Sequence, residues 1–563
     1  MRLFYFTLIL CTRVFAQEIV DKDYFRLPLD IPLQLSGNFG ELRSNHFHAG
    51  FDFRTQQKEG LKVYAVADGY ISRIKISTYG NGKTIYIDHP NGYTTVYGHL
   101  QRTNDFIEEY VKKAQYKEQS FEVEIRPNPD EFIVKKGDVI AFSGNTGSSE
   151  GPHLHFEFRD TKSEKVINPY LFGYNAFMQD SKRPIVTNLY VYPIDDKSVA
   201  NQSKRPLLLN LTLQKDGTYL SEKVLADGKI GFGVQAHDVF DKSYDKYAIY
   251  QVESYLNGNP SFKCQFDTYS FDEMRYVNAY IDYYRYKTSK VKIQKLFMKT
   301  HFPLSIIKTN EANGVIDVTT NFSNSYKIVL SDFYGNKTQI TIPIEYAKIE
   351  SIISEEVKKT NYFVKCKVDA NFEKDNFAVF FPAGTFYDDF YLDFDVKDNV
   401  MTVHNDLTPV HQNFLVTITD SSKNNDDKTF IASYKNGKYS YNNTKRKDST
   451  FTTYTKKLGQ FKLYKDTISP KIKISKPIEG QWISGQKTIQ LNISDELSGI
   501  QSYNGYINNK WVLFEYENKA NKITHYIDDA FMNEGENELK VVVTDNVGNS
   551  TIFETHFFRS QKK

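Results

Sequence analysis

The chain has 563 residues, with 71 Lys and Arg against 69 Asp and Glu, a formal charge of +2. At roughly 100–200 residues per domain, that length accommodates about three to five domains, each with its own core. The near-neutral balance gives no electrostatic reason to expect nucleic acid as a partner. The 40 Tyr and 42 Phe, against 17 Pro and 30 Gly, exclude disordered and collagen-like chains and favour strands.

The first residues read as an export signal. Arg2 gives a positive start, Leu3 to Leu10 an apolar run and Val14-Phe15-Ala16 a small-residue cleavage site. Residues 1–16 are therefore expected to be removed, and Cys11, preceded by the bulky Leu10, leaves lipidation open. No later stretch approaches the ~20 apolar residues of a membrane helix. The expectation is an exported protein of the periplasm or cell envelope, without a transmembrane segment. Cys264 and Cys366 fall in what read as different domains, so free buried thiols are expected.

Residues 17–178 alternate short strand-like runs with glycine turns. Val63 to Ile74 reads as two strands about Asp68-Gly69. The turn Tyr79-Gly80-Asn81-Gly82 leads to the strand Thr84 to Asp88, and Pro90-Asn91-Gly92 leads to Tyr93 to Tyr97. Asp105 to Gln119 changes to a polar, helix-like piece, after which Phe121 to Ile125 and Val134 to Ile140 resume the strands. An all-β domain with a partly helical insertion is expected.

Further on, Ala236-His237-Asp238 and Ser331-Asp332-Phe333-Tyr334-Gly335-Asn336 are echoed by Ile493-Ser494-Asp495 and Thr544-Asp545-Asn546-Val547-Gly548-Asn549. Asp-x-x-Gly-Asn between strands is a hairpin signal, because Gly and Asn tolerate positive φ. The units 183–346 and 467–560 resemble the Ig-like modules of bacterial surface proteins. Between them, 347–465 also reads as β, with Phe377 to Phe381 stopped by Pro382 and a strand at Phe414 to Thr419. Lys423 to Lys447 reads as surface loop. About three β-sandwich domains are thus expected behind the first.

Six of the 12 histidines lie in the first 155 residues, and three short segments hold five of them. In His46-Phe47-His48-Ala49-Gly50-Phe51-Asp52-Phe53, an extended strand would point His48 and Asp52 the same way, with Gly50 leaving room for a bound group. Tyr97-Gly98-His99-Leu100 stands at a strand end. Gly151-Pro152-His153-Leu154-His155-Phe156-Glu157-Phe158 puts His153, His155 and Glu157 on one face and the apolar residues on the other. Imidazole and carboxylate suit Zn²⁺, which in catalytic sites keeps three protein ligands and an open position. His48, Asp52 and one histidine of the third segment would fill such a site.

With their flanks, these segments resemble the lysostaphin-type (LytM-like) zinc metallopeptidases that cut peptidoglycan. The matching stretches are His48 to Phe53, Val63 to Gly69, Tyr97-Gly98-His99-Leu100, Val134 to Ile140, and Ser143-Gly144-Asn145-Thr146-Gly147 running on to Gly151 to Glu157. They cover about a quarter of the chain. The resemblance implies a small antiparallel sheet with an open groove, zinc held by His48, Asp52 and His155, and His99 and His153 as the unmetallated catalytic histidines. One of these two would move the proton and the other would hydrogen-bond the oxyanion. From its own position Glu157 reads first as a solvated strand carboxylate, and orienting a histidine is the alternative. The segment Asp105 to Phe132, longer than in many relatives, is expected near a groove wall. The implied function is zinc-dependent hydrolysis of peptide bonds in peptidoglycan stems or cross-links. The C-terminal β domains would contact wall or other envelope proteins. The alternative is a non-catalytic envelope protein that binds wall or activates an amidase.

Overall fold

The computed structural model describes residues 23–348, 350–354, 358–420, 422, 426–435, 437–528 and 531–560. The expected export signal, and Cys11 with it, lies outside the described residues. Among the described residues, no helix is long and apolar enough to cross a membrane. The chain is nearly all β, as composition and turn spacing led us to expect, and Cys264 and Cys366 are free and buried.

The first sheet is built on β1 (Leu35–Gly37), β2 (Phe51–Arg54), β3 (Gly69–Ile76), β4 (Lys83–Asp88), β5 (Tyr93–Leu100), β6 (Val123–Ile125) and β7 (His153–Asp160). Across the sheet they run β1-β2-β7-β5-β4-β3-β6, antiparallel throughout. The strict alternation in β7 sends Leu154, Phe156 and Phe158 into the core, each fully buried. There Phe156 stacks on Tyr174 at 5.8 Å and Phe158 on Phe172 at 4.0 Å. Truncating such a ring costs about 3–5 kcal/mol, so the core fixes the register of β7. Register sets the polar face: His155 lies opposite Asp52 of β2 on one side and opposite Gly98 of β5 on the other.

The helix-like piece is α1 (Asp105–Glu118), capped by Asn104, whose side chain accepts from Ile107 N. It buries Ile107, Val111 and Gln115, one face at helical spacing. Contrary to expectation, no residue of 105–132 lines the groove described below. Instead Tyr116 meets Trp511 at 5.2 Å and stacks on Phe531 at 5.3 Å, so the helix faces the last β unit. Burying these rings, where a groove wall would leave them wet, explains the placement.

One hydrophobic core runs from Phe25 to Ile344 and takes in Leu513; separate cores span Val364 to Phe461 and Ile478 to Phe557. The strand Val166–Ile167 pairs with β7 on one side and with Thr268–Tyr269 on the other, stitching the first two units together. Farther along, Ser323–Ser331 and Lys337–Tyr346 pair about Asp332 to Asn336, and Gly535–Asp545 and Ser550–Arg559 about Asp545 to Asn549. Gly335 and Gly548 sit at φ +92° and +83°, the conformations that Asp-x-x-Gly-Asn requires.

Lys423 to Lys447, read as loop, contains the strands Thr429–Lys435, Lys438–Tyr441 and Thr444–Lys447. Phe430, Ile431 and Ala432 bury there, while the other two strands lie at sheet edges, where polar residues on both faces are tolerated.

Candidate metal centre

Three ligand-type atoms converge on the polar face. His48 Nε2 lies 3.0 Å from Asp52 Oδ1 and 3.2 Å from His155 Nδ1, and His155 Nδ1 lies 2.9 Å from Asp52 Oδ1. His48, Asp52 and His155 are 2%, 4% and 5% exposed. Two imidazole nitrogens and one carboxylate oxygen this close fit a small four-coordinate ion, whose ligand–ligand edges are ~3.3 Å for bonds near 2 Å. His48 reaches the cluster differently from the expected continuous strand. It stands between the strand His46–Phe47 and β2, and an interruption of the strand, not strand alternation, turns it toward Asp52. Gly50 does not make room for a ligand. A Cβ there would lie 2.1 Å from Phe156 O, so only glycine lets this interruption pass against β7.

Partners of the opposite ring atoms fix which nitrogen faces inward. His48 Nδ1 contacts the Asn38 carbonyl at 2.7 Å, leaving Nε2 for the cluster. His155 Nε2 contacts Glu157 Oε1 at 2.8 Å, leaving Nδ1. Glu157 is buried between His155 and Arg159, whose Nη2 lies 2.6 Å from Oε2. Asp52 Oδ2 accepts from Arg43 Nη2 at 2.6 Å. His46, by contrast, is exposed and turns to the Ser44 carbonyl.

His99 and His153 stand beside this cluster, ring centroids 4.7 Å apart, with His99 5.8 Å from His155. Each holds its Nδ1 on a carbonyl, His99 on Thr146 and His153 on Gly151, both at 2.8 Å. Ser149 Oγ adds a contact to His153 Nδ1 at 3.1 Å. A ring donating Nδ1–H carries its lone pair on Nε2, and His153 Nε2 lies 3.5 Å from Asp52 Oδ1. His99 has φ +58°, a left-handed conformation rare for a side chain of this size. Its N–H donates to Asn81 O at 2.7 Å, which holds the backbone there.

Burial opposes the Asp52 carboxylate, but the surrounding imidazoles of His48, His153 and His155, His48 foremost, outweigh it and hold its pKa well below the usual range. Burial likewise opposes a charged His155; its hydrogen bonds to Asp52 and Glu157 prevail and raise it to about 9. Glu157 is lowered to about 2, with Arg159 and His155 overcoming burial. His99 goes the other way. Burial, then the neighbouring His155 and His153, push it down to about 3 and keep it neutral.

The cluster opens onto a cavity of about 1130 Å³, with Arg43, Arg54 and Arg159 on its walls and Phe271 and Met274 contributed by the second unit. Sequence reasoning missed Arg43, Ser149 and these two apolar residues, which no motif spacing marks. Arg159 had a signal: it continues the alternation of His153, His155 and Glu157.

The Peptidase family M23 profile matches residues 46–116 and 125–169, interrupted from the last turn of α1, and a Zu5-like domain profile matches 361–466. The N-terminal unit is an M23 peptidase domain. An uncharacterized metalloprotease of Haemophilus influenzae is 33% identical over 158 residues, 27% of this chain and 28% of that protein. The peptidoglycan DD-endopeptidase ShyC of Vibrio cholerae is 32% identical over 143 residues, 24% of this chain and 27% of that one. Among solved structures, the catalytic domain of lysostaphin from Staphylococcus simulans matches 25% of this chain and 91% of its own, at 26% identity and a TM-score of 0.19. The chain therefore spans little more than a quarter of the curated relatives it matches. The M23 domain and its metalloprotease relatives imply a metal, and His48, Asp52 and His155 have the donor chemistry for one.

Proposed function

We propose that this protein is an exported zinc endopeptidase hydrolysing peptide bonds in peptidoglycan stem peptides or cross-links, at the periplasmic or envelope side of the membrane. The observation that carries this reading is the convergence of His48 Nε2, Asp52 Oδ1 and His155 Nδ1 beside two further histidines in an open groove. The peptidoglycan endopeptidase among its relatives supports the substrate class.

His48, Asp52 and His155 would hold the zinc. When bound, the ion supplies Lewis acidity that polarises a carbonyl and acidifies water. The remaining chemistry belongs to the chain. Arg43 donates to Asp52 Oδ2 and fixes that oxygen. Glu157 keeps the His155 ring turned. His99 and His153 offer Nε2 atoms whose rings are anchored through Nδ1, so each can accept or return a proton without rotating. The wall arginines Arg43, Arg54 and Arg159 are each paired with a carboxylate of the chain, Asp52, Asp245 and Glu157, and Phe271 and Met274 give the groove an apolar side.

In the proposed division, 17–178 is the peptidase, 183–346 and 467–560 are Ig-like sandwiches, and 347–465 is the β module where the Zu5-like match falls. These modules would hold the enzyme on wall or envelope partners. A chain ending after residue 346, which loses only Leu513 from the buried residues of the first core, should then bind intact sacculi more weakly than the full chain. Equal binding removes that role. The catalytic reading is tested by incubating mature protein with insoluble peptidoglycan, with and without chelator, and identifying soluble muropeptides by mass spectrometry. No chelator-sensitive release, or full activity in His155→Ala, would sink it.

A further inference from the structure

Away from the groove, two three-aspartate nodes are built on one plan. Asp180, Asp238 and Asp332 each bring a carboxylate oxygen within 4.8 Å of the others, and so do Asp466, Asp495 and Asp545. In each node the first aspartate opens Asp-x-x-x-Pro, at Asp180 to Pro184 and at Asp466 to Pro470. The second directly follows a strand, Val224–His237 or Thr488–Ser494, and the third opens an Asp-x-x-Gly-Asn hairpin. The supporting bonds repeat as well. Asn336 Nδ2 donates to the Asp180 carbonyl and Asn549 Nδ2 to the Asp466 carbonyl, both at 3.1 Å. Thr338 and Thr551 donate to the carbonyls of Pro184 and Pro470.

In the first node the charge balance is unfinished. Asp238 and Asp332 are each 3% exposed, and neither Asp238 Oδ1 nor Asp180 Oδ2 has a hydrogen-bond donor. The Tyr170 hydroxyl, in a residue 5% exposed, is also without a partner. It lies within electrostatic reach of Asp238 and Asp180. Lys182 does not neutralise the node, since its ammonium is spent on the carbonyls of Phe240 and Asp241. Buried carboxylates without donors are costly unless a cation or a proton joins them. In the ion-free node, burial and the charges of Asp180 and Asp332 push Asp238 up to about 8. The second node repeats the orphan at Asp495 Oδ1, between the fully buried Asp466 and Asp545.

We propose that Asp180, Asp238 and Asp332 bind a divalent cation of the calcium type, and that Asp466, Asp495 and Asp545 form a second site of the same design. The donors are oxygen only, with no imidazole or thiolate, which selects a hard cation over zinc. Three carboxylates from separate segments, with room for hydroxyl, carbonyl or water, suit the flexible coordination of calcium better than the strict octahedron of magnesium. Both nodes sit at joints. Asp180 lies in the linker that leaves the peptidase domain, and Asp466 at the end of the Zu5-like match. At the first joint Tyr170 packs on Phe333 at 4.9 Å and on Phe51 at 4.8 Å, and Phe51 is the neighbour of Asp52. Tyr334 donates to the Asn175 carbonyl at 2.9 Å. A cation here would lock the second unit, with Phe271 and Met274, against the groove.

The test uses full-length, zinc-loaded protein. Calcium is titrated by calorimetry, and terbium by luminescence excited through tyrosine, with Tyr170 and Tyr334 close enough to sensitise the first site. Two equivalents should bind at or below about 1 mM calcium, the upper range for extracellular modules, with a rise in Tm of about 5 °C or more at saturation. Asp238→Asn should lose one equivalent and Asp495→Asn the other, with zinc content unchanged in both. Should Asp238→Asn fail to fold, Asp332→Asn serves for the same site. Loss in only one variant upholds that node and overturns the other. A wild type that binds no calcium overturns both. So does a Tm that calcium leaves unchanged while Asp238→Asn raises it unaided, the signature of carboxyls sharing a proton. None of these outcomes depends on peptidase activity.

Discussion

Glu157 Oε1 lies 2.8 Å from His155 Nε2, and this one contact decides that Nδ1 of the ring faces Asp52. Without the carboxylate, the imidazole loses its preferred tautomer and much of its basicity as a ligand. Glu157→Gln keeps the shape and removes the charge. It should weaken zinc about 10–100-fold, the usual cost of losing an outer partner of a metal-binding histidine. Competition against a chromophoric chelator measures this, and an unchanged affinity would return Glu157 to a purely packing role.

The same contacts predict a proton count. In the metal-free site His155 has its pKa raised to about 9, above the ordinary 6.5, so at pH 7.5 the ring holds its proton. Zinc requires the neutral ring, so binding at pH 7.5 should release about one proton, and the release should vanish as pH rises past 9. Apparent affinity should correspondingly fall on acidification below 9. Calorimetry in buffers of different ionisation enthalpy gives the count directly. Binding with no proton release at pH 7.5 would contradict a charged His155.

His99→Ala and His153→Ala should separate holding the metal from using it. Neither ring is within the three-atom cluster, and each is anchored through Nδ1 by a backbone carbonyl. Each variant should retain stoichiometric zinc and lose about 10²–10⁴-fold in muropeptide release, the range for removing a general acid–base group. Zinc loss in either variant would make that residue a ligand. His99→Ala carries a second cost, because position 99 has φ +58°; His99→Asn, better suited to that conformation, separates the backbone effect from the chemical one.

Much of this site was legible because strands encode faces with a period of two. His153-Leu154-His155-Phe156-Glu157-Phe158 declares both a core face and a polar face, and the structure follows it residue by residue. Asp52 and His99 could be assigned to the site from the family resemblance, but their pairing to His155 is a matter of register, which depends on partners far away in sequence. Gly50 shows the limit most sharply. The residue was recognised as special, but its reason is the carbonyl of Phe156, more than a hundred positions along the chain. Arg43, Phe271 and Met274 reach the groove through tertiary packing alone. The path of α1 against the last unit was hidden for the same reason, since Tyr116 carries no mark of the ring it will meet.

That packing makes one more prediction. Lys83, on β4, is buried, with its Nζ 2.8 Å from Glu515 Oε2 of the last unit. Burial opposes its charge, and Glu515 first, then Glu108, more than restore it. Close by, Lys519 Nζ donates to the carbonyls of Asn145 and Ser149, the loop whose Ser149 side chain touches His153. Glu515→Gln strands the Lys83 ammonium and should cost about 3 kcal/mol of docking free energy, the lower end for breaking a buried pair. Replacing both partners, Lys83→Met with Glu515→Leu, should recover most of it, because the cost lies in the uncompensated charge and not in the lost attraction. Hydrogen exchange at residues 143–151 reads the docking: protection should fall in the single variant and return in the double one. Unchanged protection in Glu515→Gln would show that the last unit holds this loop by other contacts.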